Sequence, residues 1–109
     1  MLRTLTALAK VDGRVSVFLE PIALYMTKDL HEAGDGQWLF PYPAPDQAMP
    51  LGEGRVYGEG EDLVVFTYGN GVPMSLRAAR RIEAERGWRV RLVDLRWLVP
   101  LNEAFIREQ

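Results

Sequence analysis

The sequence predicts an α/β fold that consists of the end of one domain, a Gly/Pro-rich linker and an incomplete parallel βαβ unit. Three observations support this prediction. The second half alternates two apolar, strand-like runs with one helical run. A shorter pattern of helix, turn and strand opens the chain. Between these parts lies a stretch in which Gly and Pro interrupt every hydrophobic period.

The first 25 residues contain half of an α/β unit. Met1–Lys10 places leucines at helical spacing, and Asp12 and Gly13 supply a turn that ends the predicted helix. Arg14–Leu19 is rich in β-branched and aromatic residues, which predicts a strand. Pro21 ends this strand because proline cannot donate to a β-ladder.

A long connection without periodicity follows, from about residue 23 to residue 60. Its glycines and prolines are Gly34, Gly36, Pro41, Pro43, Pro45, Pro50, Gly52, Gly54, Gly58 and Gly60. A structureless loop of this length is unusual inside one compact domain. We therefore expect residues 26–53 to be an interdomain linker, with the boundary near Ala44 to Glu53.

The second half carries the clearest pattern. Asp62–Tyr68 is a nearly continuous apolar strand, and Gly69–Gly71 is a turn. The following residues place one buried stripe at helical spacing, and Gly87 stands where a left-handed C-terminal cap belongs. Trp88–Asp94 then alternates its apolar residues. A strand, a crossover helix and a second strand predict parallel pairing. The stripe consists of Val72, Leu76, Ala79, Ile82 and Glu83.

The last residues predict a loop and the beginning of another helix. Leu98–Asn102 is the loop, with Asn102 as N-cap, and Glu103–Gln109 forms the first helical turns. A two-stranded parallel unit cannot cover both of its faces, so this half is predicted to be incomplete.

Composition excludes several classes of protein. The net charge is −2 and no run of basic residues is long enough to follow a phosphate backbone, so we expect no nucleic-acid partner. The absence of cysteine excludes disulfides and thiolate zinc sites. No apolar stretch approaches the roughly 20 residues that cross a bilayer. These features predict a soluble, cytoplasmic protein without a membrane partner.

Three stretches, in order along the chain, resemble the β-type portion of thiamine-diphosphate-dependent 2-oxoacid dehydrogenases. Arg14–Tyr25 resembles the last strand of the family's pyrimidine-binding domain and the segment that leaves it. Pro50–Tyr57 with Asp62–Gly69 is similar to the entry of the family's transketolase-like C-terminal domain. Val93–Asn102 resembles the family's Asp-Leu-Arg segment and its closing Pro-Leu-Asp, with Asn102 in place of the last Asp. The two residues are nearly equivalent as helix N-caps.

The resemblance implies three parts: residues 1–25 as the end of a pyrimidine-binding-like domain, 26–53 as the linker and 54–109 as the start of a transketolase C-terminal-like domain. It implies oxidative decarboxylation of a branched-chain 2-oxoacid or pyruvate, with acyl transfer to a lipoyl group. Thiamine diphosphate and magnesium are the implied cofactors of the parent assembly. The implied partners are an α-type portion, a second β-type portion and the lipoyl acyltransferase core.

The resemblance supplies no catalytic, cofactor-binding or metal-binding residue in this chain. In the family, the catalytic glutamate and histidine lie earlier in the β-type portion, and the diphosphate and metal ligands lie on the α-type portion. We therefore expect the 109-residue chain to be inactive alone and to serve assembly and subunit contact.

Two glycine-rich turns are candidate ligand sites. Gly34–Gly36 has the Gly-Asp-Gly pattern of a thiamine-enzyme metal motif, but no buried strand precedes it, and we expect a surface turn in the linker. Gly69, Asn70 and Gly71 lie between a strand and a helix, where free N–H groups bind anions. The alternative is that these glycines only permit a tight turn.

Four residues are candidate interface positions. Asp94 and Arg96 face the same side of their strand, where they either pair with each other or contact a partner. Trp38 and Trp97 are large aromatics outside the core stripe, and such residues favour interface cores. Local packing of the linker is the alternative for both. His31 lies between acidic neighbours and is expected to be solvated rather than a metal ligand or base.

Two other hypotheses remain open. One is a freestanding α/β module that binds a small anion at the turn from Gly69 to Gly71. The other is an intact structural subunit that completes the sheet of a partner. Binding of phosphate or a nucleotide would indicate the first, and co-purification with a partner would indicate the second.

Overall fold

A computed structural model describes all 109 residues. The elements in chain order are helix α1 (Leu2–Val11), a short 3₁₀ helix (Ile22–Leu24), strand β1 (Arg55–Tyr57), strand β2 (Leu63–Thr67), helix α2 (Gly71–Arg86), strand β3 (Val90–Asp94) and helix α3 (Glu103–Glu108). No helix is both long enough and apolar enough to span a membrane.

The three strands form one mixed sheet in the order β1-β3-β2. β2 and β3 are parallel, with Val65 opposite Leu92, and α2 connects them. The predicted parallel βαβ unit is therefore confirmed. The sheet is not two-stranded, however, because β1 pairs antiparallel with β3 and places Val56 opposite Val93. β1 has only three residues between Gly54 and Gly58, too few to show a period-2 pattern in the sequence.

Helix α2 begins directly after the turn at Gly69–Gly71, with Asn70 as its N-cap residue. Pro73 lies in the first turn, where the missing N–H costs no helical hydrogen bond. Gly87 ends the helix in the left-handed conformation, with φ of 70°, and its N–H donates to the carbonyl oxygen of Glu83 at 3.0 Å. Both predicted ends of the helix are thus confirmed.

Two predictions for the N-terminal part have different outcomes. The predicted first helix is confirmed as α1, and Gly13 follows it with a positive φ of 64°. The predicted strand Arg14–Leu19 is wrong. Residues 15–20 make no backbone hydrogen bond, and the side chain of Val15 is 97% exposed. A strand needs a neighbour for its ladder, and none lies beside this segment.

The core lies between the sheet and its helices. Leu92 and Val93 of β3 are almost fully buried because β3 is the central strand. Leu76 of α2 lies beside Val90 and Leu92 on one face. α3 approaches β3 through a hydrogen bond from the guanidinium of Arg91 to the carbonyl oxygen of Gln109 at 3.1 Å. The buried hydrophobic residues are Leu30, Val72, Val90, Leu92, Val93 and Trp97.

The molecule is elongated, with principal extents of 49, 34 and 23 Å. Its radius of gyration is 15.6 Å, against about 13 Å for a compact domain of this length. The additional length comes from α1 and the irregular residues 25–54, which contain no helix or strand. These residues lie outside the sheet but remain in contact with it.

Candidate functional site

The turn Gly69–Gly71 follows the C-terminal end of β2. Gly69 has a positive φ of 53°, and a side chain on Gly71 would collide with the hydroxyl of Thr67. Glycine is therefore required at both positions by backbone geometry and close approach. Asn70 makes no capping hydrogen bond with its side chain.

The backbone of this turn has few free donors for an anion. The N–H of Gly71 donates to Tyr68 O at 3.0 Å, and the N–H of Val72 donates to Gly69 O at 3.1 Å. Pro73 has no N–H. Pro21 also covers the turn, since its Cγ would lie 3.4 Å from a Cβ at Gly69. This geometry favours the turn alternative, and anion binding stays a prediction.

Asp94 and Arg96 lie together at the C-terminal end of β3. The Arg96 Nε lies 3.4 Å from Asp94 Oδ2, and the Arg96 N–H donates to Asp94 Oδ1 at 3.3 Å. Arg96 has a left-handed φ of 57°, which is uncommon for a residue other than glycine. Both side chains are largely buried, with 21% of Arg96 and 14% of Asp94 exposed. The two residues pair with each other within the chain, and a partner contact stays a prediction.

Burial dominates the electrostatics of Asp94. Desolvation raises the pKa of its carboxyl above the ordinary value, against the opposing attraction of the Arg96 and Arg55 guanidinium groups. Arg55 is the residue opposite Asp94 in the β1–β3 ladder. Arg96 is the side-chain partner of the carboxylate, and Arg55 adds only a longer-range attraction.

The two tryptophans have different environments. Trp97 is 6% exposed, and its indole N–H has no hydrogen-bond partner, so its ring is covered by residues of this chain. Trp38 is partly exposed and packs edge to face with Phe40, at a centroid distance of 5.3 Å. The structure shows local packing for both rings, and an interface role for either stays a prediction.

Gly34–Gly36 belongs to a compact loop that we call the two-aspartate loop, residues 29–37. Both oxygens of Asp35 accept backbone N–H groups, at distances of 2.7 to 2.9 Å. Asp29 accepts the N–H groups of Gly34 and Gly36, both at 2.8 Å. The donors to Asp35 are Leu30, His31, Glu32 and Gln37.

These hydrogen bonds define the chemistry of the Asp35 carboxylate. Backbone N–H groups, first that of Gln37, hold the pKa of Asp35 well below its usual range, although desolvation acts in the opposite direction. Because its oxygens already accept four N–H groups, they have little capacity left to coordinate a cation. This geometry favours the surface turn over the metal motif at Gly34–Gly36, and the absence of a metal there stays a prediction.

The residues present do not fit a metal–diphosphate site. No group of three or more His, Asp or Glu side chains lies close enough together to hold a metal ion. His31 lines a surface depression with Arg80 and Glu83, and no cluster of acidic ligands surrounds it. No step of thiamine chemistry is therefore assigned to this chain.

Sequence reasoning missed the residues that join the irregular segment to the sheet. Arg77 of α2 donates from Nε to the carbonyl oxygen of Leu30, and Arg80 pairs with Glu32 at 3.1 Å. The guanidinium of Arg55 lies over the ring of Phe40. One signal for the loop was present, since Asp residues beside glycines favour turns that side chains cap.

The part of the chain that contains the sheet is similar to a known domain family. A profile of the transketolase C-terminal domain matches residues 52–109, slightly more than half of the chain. The 2-oxoisovalerate dehydrogenase subunit beta of Bacillus subtilis (strain 168) is 42% identical over 66 residues, which are 61% of this chain and 20% of that protein.

Two synthases are similar to this chain over segments of comparable length. The 1-deoxy-D-xylulose-5-phosphate synthase of Bacteroides fragilis is 39% identical over 70 residues, 64% of this chain and 11% of that protein. The corresponding synthase of Bacillus mycoides (strain KBAB4) is 34% identical over 62 residues, 57% of this chain and 10% of that protein. The chain thus spans a fifth or less of the length of these relatives.

Proposed function

Because the chain belongs to the transketolase C-terminal domain family, we propose that it is part of the β-type portion of a 2-oxoacid dehydrogenase. The observation that carries this proposal is the 42% identity to a 2-oxoisovalerate dehydrogenase subunit beta, together with the βαβ unit in residues 63–94. A branched-chain 2-oxoacid is the proposed substrate of the parent enzyme, with pyruvate as the alternative.

In this proposal the chain contributes assembly and subunit contact rather than chemistry. Thiamine diphosphate and magnesium would belong to the parent assembly, because no acidic or histidine cluster in this chain fits them. The α-type portion and a second β-type portion are the proposed partners, with the lipoyl acyltransferase core as a further one. The proposed location is the cytoplasm.

Exposed apolar side chains support a role in contact. Val15 and Val17 are 79% or more exposed, and they lie in residues 15–20, which make no backbone hydrogen bond. Ile22, at the start of the 3₁₀ helix that follows, is 80% exposed. Exposed apolar segments of this kind are more common where a partner covers them. The predicted pyrimidine-binding-like part, residues 1–25, contains this segment.

The first experiment is the intact and native mass of this polypeptide from its source. We expect it inside a longer chain or a multi-subunit complex that reduces an electron acceptor when 2-oxoisovalerate is supplied. Pyruvate is the matched control substrate. A free 12.4 kDa monomer without any partner would contradict the proposal.

A second candidate parent is a 1-deoxy-D-xylulose-5-phosphate synthase, since one such enzyme is 39% identical over 70 residues. The same purified assembly separates the two candidates by product. Formation of 1-deoxy-D-xylulose 5-phosphate without 2-oxoisovalerate-dependent reduction would identify the synthase. The opposite result would identify the dehydrogenase.

The anion-binding module remains the alternative from a different class. A rise in melting temperature with inorganic phosphate, lost in Asn70→Leu, would support it. Because Asn70 makes no capping bond with its side chain, the substitution should leave the fold intact. No phosphate-dependent rise in melting temperature would exclude this alternative.

A further inference from the structure

We infer that the two-aspartate loop is a preformed anchor that fixes the connection between α1 and the sheet, so that residues 28–49 act as a rigid spacer. The inference does not depend on the proposed enzyme, since every contact that supports it lies inside this chain. Most of residues 26–53, the predicted interdomain linker, would then be held in place by contacts with α1, α2 and β1.

The loop orders itself through its two carboxylates. Asp35 and Asp29 together accept six backbone N–H groups within nine residues, at 2.7 to 2.9 Å. Hydrogen bonds to a charged acceptor are stronger than those between neutral groups. Gly34 and Gly36 have positive φ values of 85° and 59°, which let the chain fold around the carboxylates. The loop shape is thus set locally, without a contribution from the sheet.

One side of the ordered loop is attached to α2. Leu30 is 8% exposed although it lies in an irregular segment, so its side chain is buried against the rest of the molecule. Its carbonyl oxygen accepts a hydrogen bond from the Nε of Arg77. Three residues farther along α2, Arg80 forms an ion pair with Glu32 at 3.1 Å. The apolar contact and the two polar contacts hold the same three-residue stretch.

The residues after the loop are attached to β1. The guanidinium of Arg55 lies over two rings, 5.1 Å from the centroid of Phe40 and 4.8 Å from that of Tyr57. The ring of Trp38 packs on Phe40, and the backbone N–H of Trp38 donates to Lys28 O at 2.9 Å. A cation above an aromatic face is attracted by the ring quadrupole. Arg55 therefore joins the connection to the edge of the sheet.

The far end of the connection is attached to α1. The guanidinium of Arg3 donates to the carbonyl oxygens of Pro43, Ala44 and Gln47, at 3.3 Å for Pro43 and 2.8 Å for Gln47. The hydroxyl of Thr4 donates to Met49 O. Attachment at α2, β1 and α1 fixes the spacing between the N-terminal helix and the sheet.

The absence of native cysteine allows a direct test in the full chain. A pair of spin labels is attached to two introduced cysteines, Ala33→Cys in the loop and Ala84→Cys on the exposed side of α2. The labelled chain is diluted in an excess of unlabelled chain, so that distances between copies do not contribute. We expect one narrow distance distribution from the pair. A broad distribution in this parent would overturn the inference, since it would show that the loop is not held against the helix.

Two variants separate the internal order of the loop from its attachment. In Asp35→Asn, one oxygen is replaced by an NH₂ group, so one pair of donors, either His31 and Glu32 or Leu30 and Gln37, loses its acceptor. We expect amide exchange of that pair to accelerate by about tenfold or more. Arg77→Met should broaden the spin-label distances while the loop amides keep their protection.

Asp46→Asn is the matched control, because Asp46 lies in the same connection, is exposed and makes no hydrogen bond or ion pair. It should change neither readout. Unchanged exchange in Asp35→Asn would overturn the inference. If the β3 amides also lose protection in Asp35→Asn, that variant has unfolded more widely and Arg77→Met becomes the deciding variant. A spin-label distance distribution that stays narrow in Arg77→Met overturns the inference, and a broadened distribution supports it.

Discussion

Gly60 is buried directly against the backbone of Arg89 and Val90, at the start of β3. The backbone φ of Gly60 is not in the left-handed region, so glycine is required here for space alone. A methyl group at this position would push the turn before β2 away from β3. Such a contact is invisible in the sequence, where Gly60 is one of many glycines.

We expect Gly60→Ala to lower the free energy of unfolding by about 1–3 kcal/mol, the usual cost of overpacking. Urea denaturation measures the change. Glu59→Ala is the control, because the side chain of Glu59 is exposed and makes no ion pair. Equal free energies of unfolding for the two variants would contradict the prediction, because the turn would then accommodate the methyl group without loss of stability.

The Asp35 carboxylate predicts a loss of stability in acid. Because its pKa in the fold lies below the ordinary value of 3.8, its contribution is complete above that value and disappears as the pH falls below it. We expect urea unfolding between about pH 5 and pH 2 to show this loss in the parent. The loss should be smaller in Asp35→Asn, and identical pH profiles would contradict the prediction.

The side chain of Asn102 makes two contacts at the start of α3. Asn102 Oδ1 accepts the N–H of Phe105 at 3.0 Å, as the sequence predicted for an N-cap. Its Nδ2 also donates to Gly52 O at 3.3 Å, which an aspartate cannot do. The replacement of Asp by Asn in the Pro-Leu-Asp segment is therefore more than an equivalent cap, because it ties α3 to the segment before β1.

We expect Asn102→Ala to destabilise the chain by about 1 kcal/mol, through loss of the cap. Asn102→Asp keeps the cap but replaces the donor to Gly52 O with a carboxylate oxygen, which cannot form that bond and repels the carbonyl. Amide exchange distinguishes the two effects: Phe105 should lose protection in Asn102→Ala and retain it in Asn102→Asp. Loss of Phe105 protection in both variants would show that the cap depends on the Gly52 contact.

At the same scale, elements with many periodic residues could be predicted and short ones could not. α2 has 16 residues and a glycine at its end, so its cap and the apolar part of its stripe are visible in the sequence. Glu83, predicted as part of the buried stripe, is exposed. β1 has three residues and no readable period. Arg14–Leu19 has strand composition, but composition reports only the preference of a residue for a pleated surface. It does not report whether a neighbouring strand exists.

The candidate site had a similar limit. The turn at Gly69–Gly71 and the Asp94–Arg96 pair could be predicted because their residues are neighbours in sequence. The contacts of Arg55, Arg77 and Arg3 join residues 15 to 47 positions apart. No local pattern specifies which of 13 basic residues meets which carbonyl or ring, so these contacts had no signal.

For the whole molecule, burial is sparse. Only 9 of 109 residues are buried, and large apolar side chains such as Val17 and Ile22 are about 80% exposed. Folding stability comes mainly from buried apolar area, so this chain has little reserve alone. We therefore expect the isolated chain to be oligomeric, aggregated or partly unfolded.

Light scattering after size-exclusion chromatography tests this expectation. If the segment at residues 15–20 drives association, Val17→Lys should shift the population toward monomer. Val99→Lys is the matched control, since Val99 is 89% exposed in a different part of the chain. A monodisperse parent that melts cooperatively as a monomer would contradict the prediction.

The attachment of the connection has a consequence for where the molecule can be divided. Similarity to the family begins at residue 52, and a piece cut at that position would retain the entire sheet. It would also leave Arg55 without the ring of Phe40 and would remove Leu30 from beside α2. The segment matched by the family profile is thus smaller than the segment that shares a core. A cut before Lys28 would keep the sheet together with Leu30 and Phe40, which pack against it and α2.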